Sequence, residues 1–318
     1  MTRRNGGTVP AFLAAALVFC WLRAPLHGAE TVEHPFVGVT SILREETTPR
    51  QLRMHVVQID LTAPGIHFKL TEPGGTRETV RNTTVGFLSE EHAQIAVNAH
   101  FFLPFPSTDS DAMLIGLAAS NGNVYSAFES PLQSYAIIAD APAFNIDQSN
   151  RVSVVHRNPD FSDGKHVLES VMLWNVVSGS AQIVTDGVKT IPVYKDETHP
   201  NGLLTPGGDA EYDNVKSWYN ILNARTAIGF TRDNKTLVIF TVDRATGSLG
   251  MTVGEVADTL IRDYSVVNAL NLDGGGSTTL AMENPSTHAA ELVNVSDDIL
   301  QSRYVGSNFA VFAKPIQK

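Results

Sequence analysis

The chain has 318 residues, 43% hydrophobic and 18% charged, a balance that excludes a disordered or fibrous protein. With 23 Lys and Arg against 33 Asp and Glu the formal charge is −10, and without a long basic run nucleic acid is not an expected partner. The 24 Gly and 16 Pro favour a loop-rich α/β or β protein over a helical bundle.

Arg3 and Arg4 precede an apolar run from Val9 to Leu22, and Leu26-His27-Gly28-Ala29 closes the stretch. That order predicts a secretory signal peptide over residues 1–29. The apolar run is about 14 residues, short of the roughly 20 that cross a bilayer as a helix, so no stable span is expected after cleavage. Cleavage would remove three Arg and no acid, taking the charge from −10 to −13, and would remove Cys20, the only cysteine. Residues 30–318, expected as a single domain, would then hold no disulfide, thiolate nucleophile or Cys-ligated zinc. A secreted or periplasmic location is expected.

Further along, His55–Leu61 alternates as a strand, and Ile66–Leu70 follows after a Pro-Gly turn. Thr83–Glu91 predicts a short helix leading into a buried strand over Ala93–Asn98. Gly116–Tyr125 and Ser134–Ala139 read as strands; residues 140–225 carry frequent turn signals, with a long loop over Gly202–Tyr212. Arg225–Thr231 and Thr236–Asp243 flank the polar turn Arg232-Asp233-Asn234-Lys235, a hairpin that sets Arg225 opposite Val242, next to Asp243. Thr252-Val253-Gly254-Glu255 is a capping box opening a helix whose apolar residues (Val253, Val256, Ala257, Leu260, Ile261, Tyr264) form one face. Val266–Asp273 is the next strand, terminated by Gly274-Gly275-Gly276-Ser277.

Strand, helix and strand in succession predict a βαβ unit near the C-terminus, and hence an α/β fold with a mixed sheet. Asp243 and Asp273 would then share the carboxyl edge of the sheet with Arg225, where ligands of open α/β sheets bind. Two carboxylates and a guanidinium would converge there. Glu255, although explained by the capping box, adds a third carboxylate at a helix start facing that edge. The glycines of Asp273-Gly274-Gly275-Gly276-Ser277-Thr278 suit an anion-cradling loop, with Ser277 and Thr278 as hydroxyl donors. The spacing matches neither a P-loop nor a dinucleotide fingerprint. In Asn98-Ala99-His100-Phe101-Phe102, Asn98 is a candidate donor to substrate oxygen and His100 a candidate acid, base or ligand. No HxxxH or HExxH pattern supports a His-based metal centre. No cofactor is required by these motifs, although oxygen-ligated Ca²⁺ needs no local motif and stays open.

Asn98-Ala99-His100-Phe101-Phe102, Arg225-Thr226-Ala227-Ile228-Gly229, Val242-Asp243, Gly250-Met251-Thr252 with Glu255, Leu272-Asp273-Gly274-Gly275-Gly276-Ser277-Thr278-Thr279 and Arg303…Val305…Asn308-Phe309-Ala310-Val311 occur in this order. Over residues 90–313 the set resembles the phosphodiester glycosidase family. The resemblance implies an α/β hydrolase, often exported, that acts on an α-linked N-acetylglucosamine phosphodiester or a bacterial envelope or exopolysaccharide equivalent. It implies that Asn98, Arg225, Asp243, Glu255, Asp273 and Ser277 line the pocket. Two departures stand out: Ala99 and His100 replace the two glycines usual in the family's first motif, and Arg244 follows Asp243 where glycine is common. Both are expected to crowd the pocket.

A sugar-1-phosphodiester leaves as a weakly basic phosphate monoester, so the harder tasks are binding phosphate and attacking the anomeric carbon. Arg225 is assigned to the phosphate, supported by the Gly274, Gly275 and Gly276 amides and by Ser277 or Thr278. Asp273 is assigned as nucleophile or general base, with Asp243 or Glu255 as partner. Two alternatives remain: a phosphodiesterase cutting P–O with the same residues, and a non-catalytic envelope glycan-binding module. Release of free sugar separates a catalyst from the binding module, and the bond broken separates the two hydrolases.

Overall fold

The computed structural model describes residues 1–2, 28–129, 135–208, 210–297 and 303–316; residues 3–27 of the expected signal peptide, Cys20 included, lie outside these. The frame is an eight-stranded sheet in the order Ala29–Glu33, Val39–Glu46, Leu52–Asp60, Thr236–Val242, Arg225–Thr231, Val266–Asn271, Ala181–Thr185, Val188–Lys189. Every neighbouring pair in it is antiparallel.

Both faces of this sheet are covered. On one, Met54, Val56, Val238 and Phe240 pack against Val253, Val256, Ala257 and Leu260 of the helix Val253–Tyr264. On the other, Val57, Ile59, Leu237, Ile239 and Leu270 share a core with two smaller sheets. One of these centres on Ile95–Asn98, flanked by Leu280–Glu283 and Asn308–Phe312; the other includes Ala143–Ile146 beside Asn175–Ser178. The helix starts at the expected capping box: Thr252 Oγ1 accepts from Glu255 N at 3.2 Å and Glu255 Oε2 from Thr252 N at 2.8 Å. It stops at Ser265, whose φ of 54° ends the helical run. The short helix Thr84–Glu91 is capped by Thr83.

The α/β expectation with a βαβ unit is overturned, because the sheets are antiparallel and only two α-helices occur among the described residues. Thr236–Val242 and Val266–Asn271 do run in the same direction around a helix. Arg225–Thr231, however, fills the slot between them, with Ala227 opposite both Phe240 and Asn271. The misleading signal was the order strand, helix, strand. A helical crossover normally returns the chain as a parallel neighbour, but here it returns one place further on, with the slot between already filled by Arg225–Thr231. The expected strand over 134–139 is irregular backbone from Tyr135 onward, residue 134 being outside the described set. Among the described residues no helix is long and apolar enough to cross a membrane.

The antiparallel arrangement still brings Asp243, Asp273 and Arg225 to one edge. Asp243 and Asp273 follow the ends of two strands running the same way, and Arg225 begins the reversed strand between them.

Candidate active site

At this edge lies a cavity of about 270 Å³, walled by Phe101, Phe102, Phe105, Tyr135 and Trp218, with Asn223, Arg244, Asp273, Asp297, Arg303 and the glycine loop completing its lining. Asp273 is placed by its neighbours' main chain and by one amide. Its N–H donates to Ala99 O at 3.0 Å, and its carbonyl accepts from Asn98 Nδ2 at 2.6 Å. The carboxylate Oδ1 accepts from Gly274 N at 2.9 Å. Burial pushes the carboxyl up to about 7, against the downward pull of Ser277, Arg303 and the Gly274 amide. At that value the group exchanges protons near neutral pH, unlike an ordinary surface carboxylate.

The glycine run is explained by crowding. Gly275 has φ +59°, in the left-handed region. At Gly276 an added Cβ would lie 2.9 Å from both Arg303 Cζ and Asp297 Oδ2. The loop is bare so that Arg303 can lie across it. Arg303 Nη1 donates to Ser277 Oγ at 3.1 Å, and its guanidinium sits 4.8 Å from the Phe105 ring centroid. The loop amides are less available than expected. Gly274 N–H serves Asp273, Gly275 N–H serves Ala224 O, and the Ser277 and Thr278 amides close the loop's own turn. Thr278 is buried off the cavity, and its Oγ1 has no partner among the described residues.

Arg225, expected on the phosphate, does not line the cavity. It is fully buried and donates to Met251 O (3.0 Å), Trp218 O (2.7 Å) and Ile221 O (2.6 Å), while stacking 4.7 Å from the Trp218 ring. Burial lowers its guanidinium to about 9. Arg225 therefore holds the Trp218 wall from behind. Asp243 is also fully buried away from the cavity: Oδ1 accepts from Val295 N at 3.1 Å, and Oδ2 lies 3.4 Å from His55 Nε2. Successive residues of an extended chain point to opposite sides, which sends Arg244 into the cavity and Asp243 away from it.

Glu255 lies outside the cavity as well, in its capping box and paired with Arg50 at 2.7 Å. Burial disfavours its ionisation, but the Arg50 and Thr252 hydrogen bonds prevail and hold the carboxyl below its usual range. Asn98 is fully buried, its amide shared among Asp273 O, Thr226 Oγ1 and Thr279 N, so it positions Asp273 without facing a ligand. His100 is fully buried beside Ser307 Oγ, Leu117 O and Ser178 N, and burial lowers it to about 4, keeping it neutral. Of the two expected crowding substitutions only Arg244 reaches the cavity.

The structure thus gathers Asp273, Gly274, Gly275, Gly276 and Ser277, and leaves Arg225, Asp243, Glu255, Asn98, His100 and Thr278 outside the lining. Arg244, expected to crowd the pocket, lines it, and Asp297, Arg303 and the aromatic walls are added. Arg303 stood in the closing motif of the sequence without a role. Asp297 and Trp218 come from loops with no periodic signal. Among the described residues no group of three or more His, Cys, Asp or Glu is placed to hold a metal ion.

Residues 91–312 match the family model described as phosphodiester glycosidase. The chain is similar to the mouse N-acetylglucosamine-1-phosphodiester alpha-N-acetylglucosaminidase, with 28% identity over 238 residues, 70% of this chain and 40% of the mouse protein. It is 38% identical to the human protein of that name over 86 residues, 26% of this chain and 16% of the human one. The chain therefore spans well under half the length of these relatives. In fold it is similar to the catalytic domain of the zebrafish protein of that name, solved auto-inhibited by its pro-peptide, with a TM-score of 0.59 at 18% identity over 91% of this chain and 87% of that one. A hypothetical protein from Synechocystis also gives a TM-score of 0.59, at 16% identity over 87% of this chain and 62% of that one.

Proposed function

The chain belongs to the phosphodiester glycosidase family, and from that premise we propose that it hydrolyses the bond between a sugar's anomeric carbon and a phosphodiester oxygen. The names of its relatives make α-linked N-acetylglucosamine the first sugar to test. The observation that carries the reading is one cavity holding a buried carboxyl with a pKa near 7, two guanidinium groups and an aromatic wall.

In this reading the sugar ring packs on Tyr135 and Trp218, whose rings meet edge to face at 6.0 Å, and the phosphate lies against Arg303 and Arg244. Asp273, when ionised, takes a proton from water; the water oxygen bonds to the anomeric carbon, and the C–O bonding pair leaves with the phosphate. The departing phosphate monoester is weakly basic, so the two guanidinium groups can stabilise it without a proton donor. Asp297, the second carboxylate of the lining, offsets positive charge developing on the sugar ring.

The test is hydrolysis of a methyl N-acetylglucosamine-1-phosphodiester in ¹⁸O-water. Label in the released sugar supports C–O cleavage. Label in the phosphate would mean P–O cleavage and sink the glycosidase reading; no release at all would leave a binding module. We propose also that the chain is exported, from the arginine-led apolar stretch Val9 to Leu22. An intact Met1 terminus on the exported protein would refute cleavage.

A further inference from the structure

A second, larger cavity of about 660 Å³ opens beside the first, and Arg303 and Phe105 line both. Its remaining wall includes Pro106, Thr108, Asp109 and Tyr304. We propose that this outer groove receives the group esterified to the far side of the substrate's phosphate, and that Tyr304 selects for a neutral, ring-bearing group with a flat hydrophobic face. The assignment rests on the phosphodiester reading above.

The geometry follows from the phosphate. A diester carries two substituents on one tetrahedral phosphorus, and they leave it in diverging directions. With the sugar in the inner cavity over Asp273 and the phosphate at Arg303, the second substituent must depart from Arg303 on the other side. That is where the outer groove begins. The groove is also rigid at its base: Arg81 donates to Pro104 O at 2.6 Å, Ser107 O at 3.2 Å and Asp111 O at 3.1 Å, tying residues 104–111 into one piece.

The chemistry of the wall selects the occupant. Asp109 is paired with Arg77 at 2.8 Å, and Arg81 is committed to carbonyls and to the Phe102 ring 5.0 Å away. With these charges engaged, Phe105, Pro106 and Tyr304 offer flat apolar surface. Tyr304 is 64% exposed, which is unusual for a large aromatic side chain and leaves its ring available for stacking.

The experiment compares two diesters of N-acetylglucosamine-1-phosphate, one methyl and one p-nitrophenyl, with the unaltered protein, Tyr304→Ala and Tyr304→Phe. Tyr304→Ala should raise KM for the aryl diester about fivefold, the size of one aromatic contact, with kcat unchanged and the methyl diester unaffected. Tyr304→Phe should restore the aryl KM. Equal effects on both diesters, or none on either, would overturn the groove assignment alone. Failure of the unaltered protein to hydrolyse either diester would bring down the proposed function and this inference together.

Discussion

Adding one methyl group at Gly276 tests whether the placement of Arg303 matters to the reaction. The backbone there does not require glycine, since Gly276 is not among the residues with positive φ. Space does: the new Cβ would sit 2.9 Å from Arg303 Cζ and Asp297 Oδ2, against an ordinary contact near 3.5–4.0 Å. The guanidinium must therefore retreat by roughly 1 Å, a displacement that costs on the order of a hundredfold when it moves a group aimed at the transition state. Because the obstructing atoms are side-chain ends, of Arg303 and of Asp297, and not backbone, the fold should absorb the change. Gly276→Ala is expected to lower kcat/KM for a sugar phosphodiester about 100-fold, with a melting temperature close to that of the parent. Sugar release and thermal unfolding, measured on the same preparation, decide it. Parental kcat/KM in a folded Gly276→Ala variant would refute the role given to Arg303.

Asp273 must be ionised to act as a base, so kcat/KM should climb with pH and level off above about 7; Asp273→Asn should flatten the profile and cost on the order of 10²–10⁴ in rate. The same raised pKa makes ionisation costly in the folded state. Stability is lost as pH rises from the ordinary carboxylate range towards 7, and the melting advantage of Asp273→Asn should be larger at pH 8 than at pH 4. Arg225→Lys keeps the charge but gives up donors to Met251, Trp218 and Ile221 carbonyls, and should lose about 2–4 kcal/mol in chemical denaturation. A change confined to phosphate affinity, with stability intact, would instead put Arg225 on the substrate. Glu255→Gln should cost about 1 kcal/mol of stability through the cap and the Arg50 pair, with kcat unchanged; a collapse of kcat would restore it to the reaction.

Local pattern was legible wherever one residue's neighbours in sequence are also its neighbours in space. The hairpin register of Arg225 opposite Val242, the capping box at Thr252 and the strand leading to Asp273, expected to run to that residue and ending at Asn271, all satisfy that condition. Strand order does not, because it depends on which distant segment occupies the slot beside a strand. Nothing in 225–273 itself announces that Leu52–Asp60 pairs with Thr236–Val242 or that two further sheets cover the opposite face. Side-chain direction at strand ends was the second blind spot. Asp243 and Arg244 are adjacent, yet only the arginine enters the cavity, and an offset of one residue decides which. Phe105, Trp218 and Asp297 lie outside helices and strands, at positions set by tertiary contacts such as Arg225 gripping the Trp218 and Ile221 carbonyls.

The amide of Asn98 bears on how the protein ages. Its Nδ2 must donate to Asp273 O while Oδ1 accepts from Thr226 and Thr279. Deamidation would replace that donor with an acceptor facing a carbonyl and add a negative charge beneath Asp273, damaging the site from below. Succinimide formation needs the next residue's nitrogen to swing onto the side chain. Here that nitrogen belongs to Ala99 and is held by Ser307 O at 3.1 Å, in a fully buried setting. The Gly122 and Gly202 nitrogens that follow Asn121 and Asn201 are held too, by Trp174 O at 2.9 Å and His199 O at 3.0 Å, so the difference lies in exposure to water and in the bare glycine that follows each. On long storage, peptide mapping should find isoaspartate at Asn121 and Asn201 well before Asn98, so the chain should accumulate chemical heterogeneity at its surface while its specific activity holds.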